Sequence, residues 1–345
     1  MKENNVLNYI KDVLEHMPAG WLRLTTHRLD IYDEALAKSH FLKEFEGLFN
    51  TNNSAIFALQ ELPTAYDYIR LGHPLSCILE WVIAQVNELK PEQVISFSSE
   101  TIPLLAILRK NHLDAKSTQI VYTGELPEML DVNLLRRIYG YQFELKKVES
   151  IAAVPEFRGS TIFVGKQDKI STNELHPNID FFINLYNHLG SILLISGEKN
   201  DAYISDIQHV RRRETIAMTP SDCLIALKAY VTQSPIQQNE NTRKANKSGV
   251  QELISMITGT IATPIVGSSG LSVQYAIMMG LVHYALENHK GKAIKFIVPP
   301  NCYGGTNDQA RRVAACIANV EVVDLPVDGD NDMVQSINTV LTKIA

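Results

Sequence analysis

Short apolar runs recur along this chain, and stretches long enough for a helix separate them. The runs are QVISFS (93–98), QIVYTG (119–124), QFELKKV (142–148), STIFVG (160–165) and SILLIS (191–196). TPIVGS (263–268), AIKFIVP (293–299) and VEVVDLP (320–326) continue the series. Between them apolar residues return at helical spacing, as Ile78, Leu79, Val82, Ile83 and Val86 do within Cys77 to Leu89. Further helices are expected over 102–109, 134–138, 250–257, 272–288, 308–317 and 331–344. Strands separated by helices of this length cannot close as simple hairpins. They require crossover helices, and so an α/β fold whose sheets are mainly parallel and flanked by helices. Residues 1–50 read as helices, from Leu7, Ile10, Val13 and Leu14 and then Ala35, Leu36, Phe41 and Phe45. The polar stretch 233–249 reads as a linker, which gives domains 1–230 and 231–345.

At 345 residues the chain has room for two domains. Its net charge of −6 argues against nucleic acid or an anionic membrane as a partner. The dense basic run Arg211-Arg212-Arg213 reads as a solvated helix end. The opening MKENNVLNYI has no apolar core behind a basic start, so a cleaved signal peptide is not expected. No run approaches the roughly 20 apolar residues of a membrane span. The four cysteines lack C-x-x-C or zinc-like spacing, so no metal is expected, and a reduced cytoplasmic protein is the economical reading.

The segment VGSSGLSVQYAIMMGLVHYAL (266–286) carries the first chemical signal. A strand, two serines and a glycine lead into a long helix, which leaves backbone amides free to hold a phosphate. Gly270 permits close approach of a ligand. An ordinary serine N-cap turn is the plainer alternative. The next strand ends in PPNCYGGTNDQARR (299–312), placing Tyr303 at the carboxyl end of a neighbouring parallel strand. Ligands of open α/β sheets bind at that edge. A tyrosine there can stack on a flat ring whose phosphate sits in the turn; a packed surface tyrosine is the alternative.

The order SSG, long helix, apolar strand, YGGT, helix, strand resembles the Cys/Met-metabolism family of pyridoxal 5'-phosphate (PLP) enzymes, which have fold type I. The resemblance covers about residues 235–345 and implies that Ser269, Gly270 and Leu271 bind the cofactor phosphate, with Tyr303 stacked on its ring. NTRKANKSG matches the family's Y-x-R-x-x-N-P-T through Arg243, with Asn241 for the tyrosine and Lys247 for the proline. In the first half, AYDYIRLGHPLSC is similar to Y-x-R-x-G-N-P through Tyr68, Arg70, Gly72 and Pro74, with His73 for the asparagine. SFSSE (96–100) stands where the family has F-S-S-G, with Glu100 for the glycine. MTPSDCLIAL resembles the family's segment after the lysine. Ser99 follows Arg70 by 29 residues and Ser269 follows Arg243 by 26, which suggests an internal duplication. The two copies then form an intramolecular pseudo-dimer in which the first lends Tyr68 and Arg70 to the phosphate held by the second.

The family's covalent lysine lies in an S-x-T-K context that is absent here. Lys290, Lys292, Lys295 and Lys343 do not match it, and DFFINLYN (180–187) offers none. No catalytic residue is therefore assigned. The expectation is a second domain cut within its sheet, with PLP bound non-covalently or not at all. The family's activity, C–S lysis or γ-replacement on a small amino acid, then needs residues beyond Ala345. A non-catalytic scaffold is the alternative, and an aminotransferase the weaker one. Either a homo-oligomer or association with the missing part is expected, because an open sheet edge seeks a partner.

Overall fold

The computed structural model describes residues 2–23, 34–63, 65, 68–128, 130–236, 240–327 and 332–344. Two compact units divide the chain: Met1–Leu130 with Phe143–Val266, and Asp131–Gln142 with Gly267–Ala345. The domain boundary near residue 230, read from the polar stretch 233–249, is not among the limits of these units and stands as a proposal.

The first unit opens with α1 (Lys2–His16), α2 (Glu34–Asn50), α3 (Ile56–Gln60), α4 (Pro74–Val86), β1 (Val94–Phe97), α5 (Ile102–Leu113) and β2 (Thr118–Tyr122). After α6 (Val132–Arg137), which belongs to the second unit, come β3 (Glu144–Lys147), β4 (Ser160–Gln167), β5 (Phe181–Tyr186) and β6 (Gly190–Ile195). Then follow α7 (Ala202–Glu214), α8 (Pro220–Thr232) and α9 (Glu240–Thr258). The sheet order is β3-β2-β4-β5-β6-β1. β3, β2, β4 and β5 pair in parallel, and β6 runs against both of its neighbours. The α/β class expected from the alternation is therefore the observed one, with one reversed strand.

β4, β5 and β6 are buried almost throughout, because helices cover both faces. The period of two divides their side chains. Phe182, Ile192 and Leu194 join a core with Ile78, Trp81 and Val82 of α4 and Leu227 of α8, while Phe181 meets Tyr203 of α7. β5 was not among the strands expected from sequence. It turns back into β6 through His188 and Gly190, both at positive φ. Only a residue without Cβ fits at Gly190, whose backbone presses on Phe97 and Ser98.

β1 is an edge strand, and charge closes its outer side. Lys38 donates to the Val94 carbonyl (3.2 Å), and Glu80 accepts the Ser96 amide (2.8 Å) and hydroxyl (2.7 Å). Arg211 donates to the Ser96 carbonyl (3.0 Å), to Glu80 (2.9 Å) and to the Leu71 carbonyl. The Ser98 amide donates to the Ile216 carbonyl (3.2 Å). Residues 94, 96 and 98 turn their peptide groups the same way, so each finds a partner where a further strand would lie. This corrects the reading of Arg211-Arg212-Arg213 as a solvated end: Arg211 is fully buried, and its guanidinium satisfies the sheet edge. Burial pushes the Glu80 carboxyl up, but Lys38 and Arg211 outweigh it and hold the group down at about 2.

Three further expectations change. TPIVGS is not a strand: Pro264 has no amide to donate, and its carbonyl accepts from Gln251 (2.7 Å). The linker-like stretch is largely α9 from Glu240 onward, with 237–239 outside the described residues. AIKFIVP forms a strand, but only its Val298 is buried.

His73 caps α4, accepting the Ser76 amide at Nδ1 (3.2 Å) and donating from Nε2 to the Met218 carbonyl (2.7 Å). Burial lowers its pKa to about 4. Between pH 6.5 and 4 the unfolded chain takes a proton that the folded chain refuses, so acidification across that window removes up to about 3 kcal/mol of stability. His73→Asn keeps a capping side chain, and denaturant unfolding at stepped pH should show a flatter slope over this window. Arg211→Met leaves Glu80 short of a cation and should cost roughly 3–5 kcal/mol in the same assay.

Candidate functional site

The second unit holds α6, α10 (Gly270–Asn288), β7 (Ile294–Val298), α11 (Gly304–Cys316), β8 (Val320–Asp324) and α12 (Met333–Ile344). β7 and β8 pair in parallel, with Ile294 opposite Val320. Tyr275, Met279 and Val282 of α10 pack with Val313, Cys316 and Ile317 near α11's end, with Val320 of β8 and with Ile138 beyond α6. Met278, Val298 and Ala310 form a smaller cluster.

Ser269 is the N-cap of α10, in extended backbone. Its hydroxyl accepts the Ser272 amide (3.1 Å), and Ser272 Oγ accepts the Ser269 amide (2.9 Å). This reciprocal box satisfies two of the donors that a helix start leaves over. The amides of Gly270 and Leu271 meet no acceptor among the described residues. They lie at the positive end of a 19-residue helix dipole. Space beside Gly270 is open, with no atom within 4 Å of where a Cβ would stand. Ser268 is exposed and donates to Ser272 Oγ (3.2 Å). Two amides, a hydroxyl and open space suit a phosphate.

Tyr303 stands immediately before α11, past the carboxyl end of β7. The turn that carries it is closed by the Cys302 amide on the Pro299 carbonyl (3.1 Å) and by the Thr306 amide on the Tyr303 carbonyl (2.9 Å). The two signals meet at one point. A Cβ built on Gly305 would stand 2.7 Å from Tyr303 Cε1 and 2.8 Å from Leu271 Cδ1. The ring of Tyr303 and the Leu271 side chain in the first turn of α10 therefore both lie beside Gly305, past the carboxyl end of β7, although the strand expected to lead into that turn is absent. Tyr303 is 61 % exposed. Gln274 and Gln309, which link the two helices, carried no signal in the sequence, because glutamine inside a helix reads as solvated surface.

The corresponding turn of the first unit is filled by its own chain. Ser99 Oγ accepts the Thr101 and Ile102 amides (both 3.2 Å), so α5 spends its donors internally. Ser98 Oγ donates to the Ile216 carbonyl (3.3 Å), and Ser191 Oγ donates to the Ser99 carbonyl (2.5 Å). Tyr68 and Arg70 sit together in this unit, the guanidinium 4.6 Å from the ring centre. Arg70 is buried and donates to the Arg212 carbonyl (3.1 Å). Arg243 lies within α9, and its side chain falls outside the described residues.

A cleft of about 680 Å³ in the first unit contains none of these residues. Lys38, Leu71, Lys90, Asp201 and Gln208 are among those that line it. Two of its cations are paired, Lys38 with Glu80 and Lys90 with Glu198 and Asp201; Arg212 also lines it. No metal-binding cluster of His, Cys, Asp or Glu occurs among the described residues, and no described helix is long and apolar enough to cross a membrane. Cys77 and Cys223 are buried, which pushes the Cys77 thiol up to about 12 and that of Cys223 well above the usual range.

No protein-family model matches the chain, and no curated protein matches it. Among solved structures it is similar to the metB protein of Corynebacterium glutamicum, at 13 % identity and a TM-score of 0.31, over 67 % of this chain and 71 % of that one. A Campylobacter jejuni protein assigned as an O-acetylhomoserine (thiol)-lyase, which carries a pyridoxyl-lysine, is 11 % identical at a TM-score of 0.36, over 72 % and 75 %. O-acetylhomoserine sulfhydrylase of Wolinella succinogenes is 10 % identical at 0.27, over 56 % and 70 %. These scores lie below the level at which two chains share a fold.

Ser269→Ala removes the cap while leaving the helix sequence intact. It should cost about 1 kcal/mol in denaturant unfolding, and Ser269→Gly only a few tenths.

Proposed function

We propose that the second unit cradles pyridoxal 5'-phosphate, with the Gly270 and Leu271 amides and the serine hydroxyls on its phosphate and Tyr303 on its ring. The observation that carries this reading is the meeting of Tyr303 and Leu271 at Gly305, beside two amides that lack acceptors. Neither element alone would suffice: a helix start binds many anions, and an exposed tyrosine is common. Bound there, the cofactor would supply an electron-poor ring able to stabilise a carbanion at Cα of an amino acid. The likeness to the Cys/Met-metabolism motifs supports C–S lysis or γ-replacement on a sulfur amino acid or an activated homoserine.

The lysines of this unit favour a second reading for the chain by itself, that of a non-catalytic binding protein or scaffold. Lys290 and Lys292 lie past the far end of α10, and a 19-residue helix is about 28 Å long. Lys343 is exposed in the last turn of α12. Lys295 pairs with Glu321 (3.5 Å), near the start of β7 and away from its Tyr303 end. None of the four sits at the cup. On the enzymatic reading, the covalent lysine comes from outside these residues.

The test is a titration of the full chain with pyridoxal 5'-phosphate, followed by circular dichroism induced in the cofactor's own absorption band. Binding that Gly270→Glu and Tyr303→Ala each weaken by about tenfold or more is the expected result. Glu100→Gly should leave it unchanged. Absence of an induced signal sinks the reading, and unchanged affinity in Arg70→Ala removes the lending arrangement alone.

A further inference from the structure

We infer that Gly305, Gln309 and the Thr306–Gln274 pair are positioning residues that fix the separation between the amide cup of α10 and the ring of Tyr303. The inference rests on the cofactor reading and goes beyond it, because none of these side chains is assigned to the ligand.

Cup and ring are borne by different helices. A rigid ligand that carries a phosphate and a flat ring engages both only if the helices keep a fixed register. Three contacts set that register. Gln309, in the second turn of α11 and 1 % exposed, donates from Nε2 to the Leu271 carbonyl (2.7 Å). That carbonyl belongs to the first turn of α10, the same turn whose amides form the cup. Thr306 Oγ1 donates to Gln274 Oε1 (2.9 Å), one turn further along α10. The Leu271 side chain lies against Gly305, so a Cβ there would have to displace the ends of the Leu271 and Tyr303 side chains.

The two glycines before Thr306 face different surroundings. A Cβ at Gly304 meets nothing within 4 Å. One at Gly305 would push on Leu271, which belongs to the cup turn, and on Tyr303, the ring itself, at 2.8 and 2.7 Å. Gly305 thus sets how close ring and cup can come. Gln309 and Thr306 keep them from drifting apart.

The experiment compares two probes on the full chain: pyridoxal 5'-phosphate, which needs cup and ring together, and inorganic phosphate, which needs the cup alone. Gly305→Ala, Gln309→Met and Thr306→Val are measured beside Gly304→Ala. Gln309→Met keeps the length and adds no charge but removes the donor to the Leu271 carbonyl. The expected result for Gly305→Ala and Gln309→Met is a fall of about tenfold in pyridoxal 5'-phosphate affinity, with inorganic phosphate affinity held within about twofold. Thr306→Val should show a smaller fall of the same kind, and Gly304→Ala none. A merely structural role would weaken both probes together or neither, and either result overturns the positioning role while wild-type binding stands. If the wild-type chain takes no pyridoxal 5'-phosphate, the cofactor reading fails and the positioning role falls with it. Should Gly305→Ala fail to fold by thermal melting, the probe ratio of Gln309→Met and Thr306→Val decides.

Discussion

The outer edge of β1 is closed by charge where another strand might stand. Lys38, Glu80 and Arg211 are buried together, and they answer the peptide groups of Val94 and Ser96 one by one. Burying three charges costs much free energy, and their mutual pairing recovers it only when the geometry is good. Here each charge also meets a backbone group that would otherwise be stranded. The knot ties α2, α4 and α7 to the same strand, since the three residues come from those three helices. A second buried pair, Arg109 with Glu214, joins α5 to α7. The first unit is thus held at its edge by ionic contacts and in its interior by apolar layers.

The same economy explains why the first unit is a poor place for a ligand. At the carboxyl end of β1, hydroxyls and amides that could hold an anion already hold one another. Ser99 Oγ accepts the Thr101 and Ile102 amides, Ser98 reaches the Ile216 carbonyl, and Gly190 brings the hairpin backbone against the strand end. The second unit differs in one respect. The box between Ser269 and Ser272 leaves the Gly270 and Leu271 amides over, and the neighbouring ring of Tyr303 stays exposed. Two turns of similar sequence, SFSSE and VGSSG, therefore reach opposite chemical states.

Much of this was legible in the residues. Alternating apolar runs and helix-length segments specify an α/β arrangement, because parallel pairing needs crossovers. Tyr303 was placed at a strand-to-helix junction by the order of AIKFIVP and YGGT, and the serine-glycine turn was legible as a capped helix start although no strand precedes it. The failures have physical causes. Arg211 looked solvated because a run of three arginines carries no hint that one of them faces a sheet edge. TPIVGS looked like a strand because apolar, branched residues suggest one, yet a strand exists only beside a partner. β5 was passed over because Asn184 interrupts its apolar pattern. Gln309 was invisible because its role depends on a carbonyl 38 residues away.

The central claim is that one ligand touches both the start of α10 and the ring before α11. Amide chemical shifts of the isotope-labelled chain, followed while pyridoxal 5'-phosphate is added, read this most directly. The account predicts that the largest changes fall on Ser269 to Leu271 and on Tyr303 to Gly305, with the turn at Ser98 to Thr101 unmoved. Changes confined to one of the two segments, centred on the first unit, or absent altogether would contradict it.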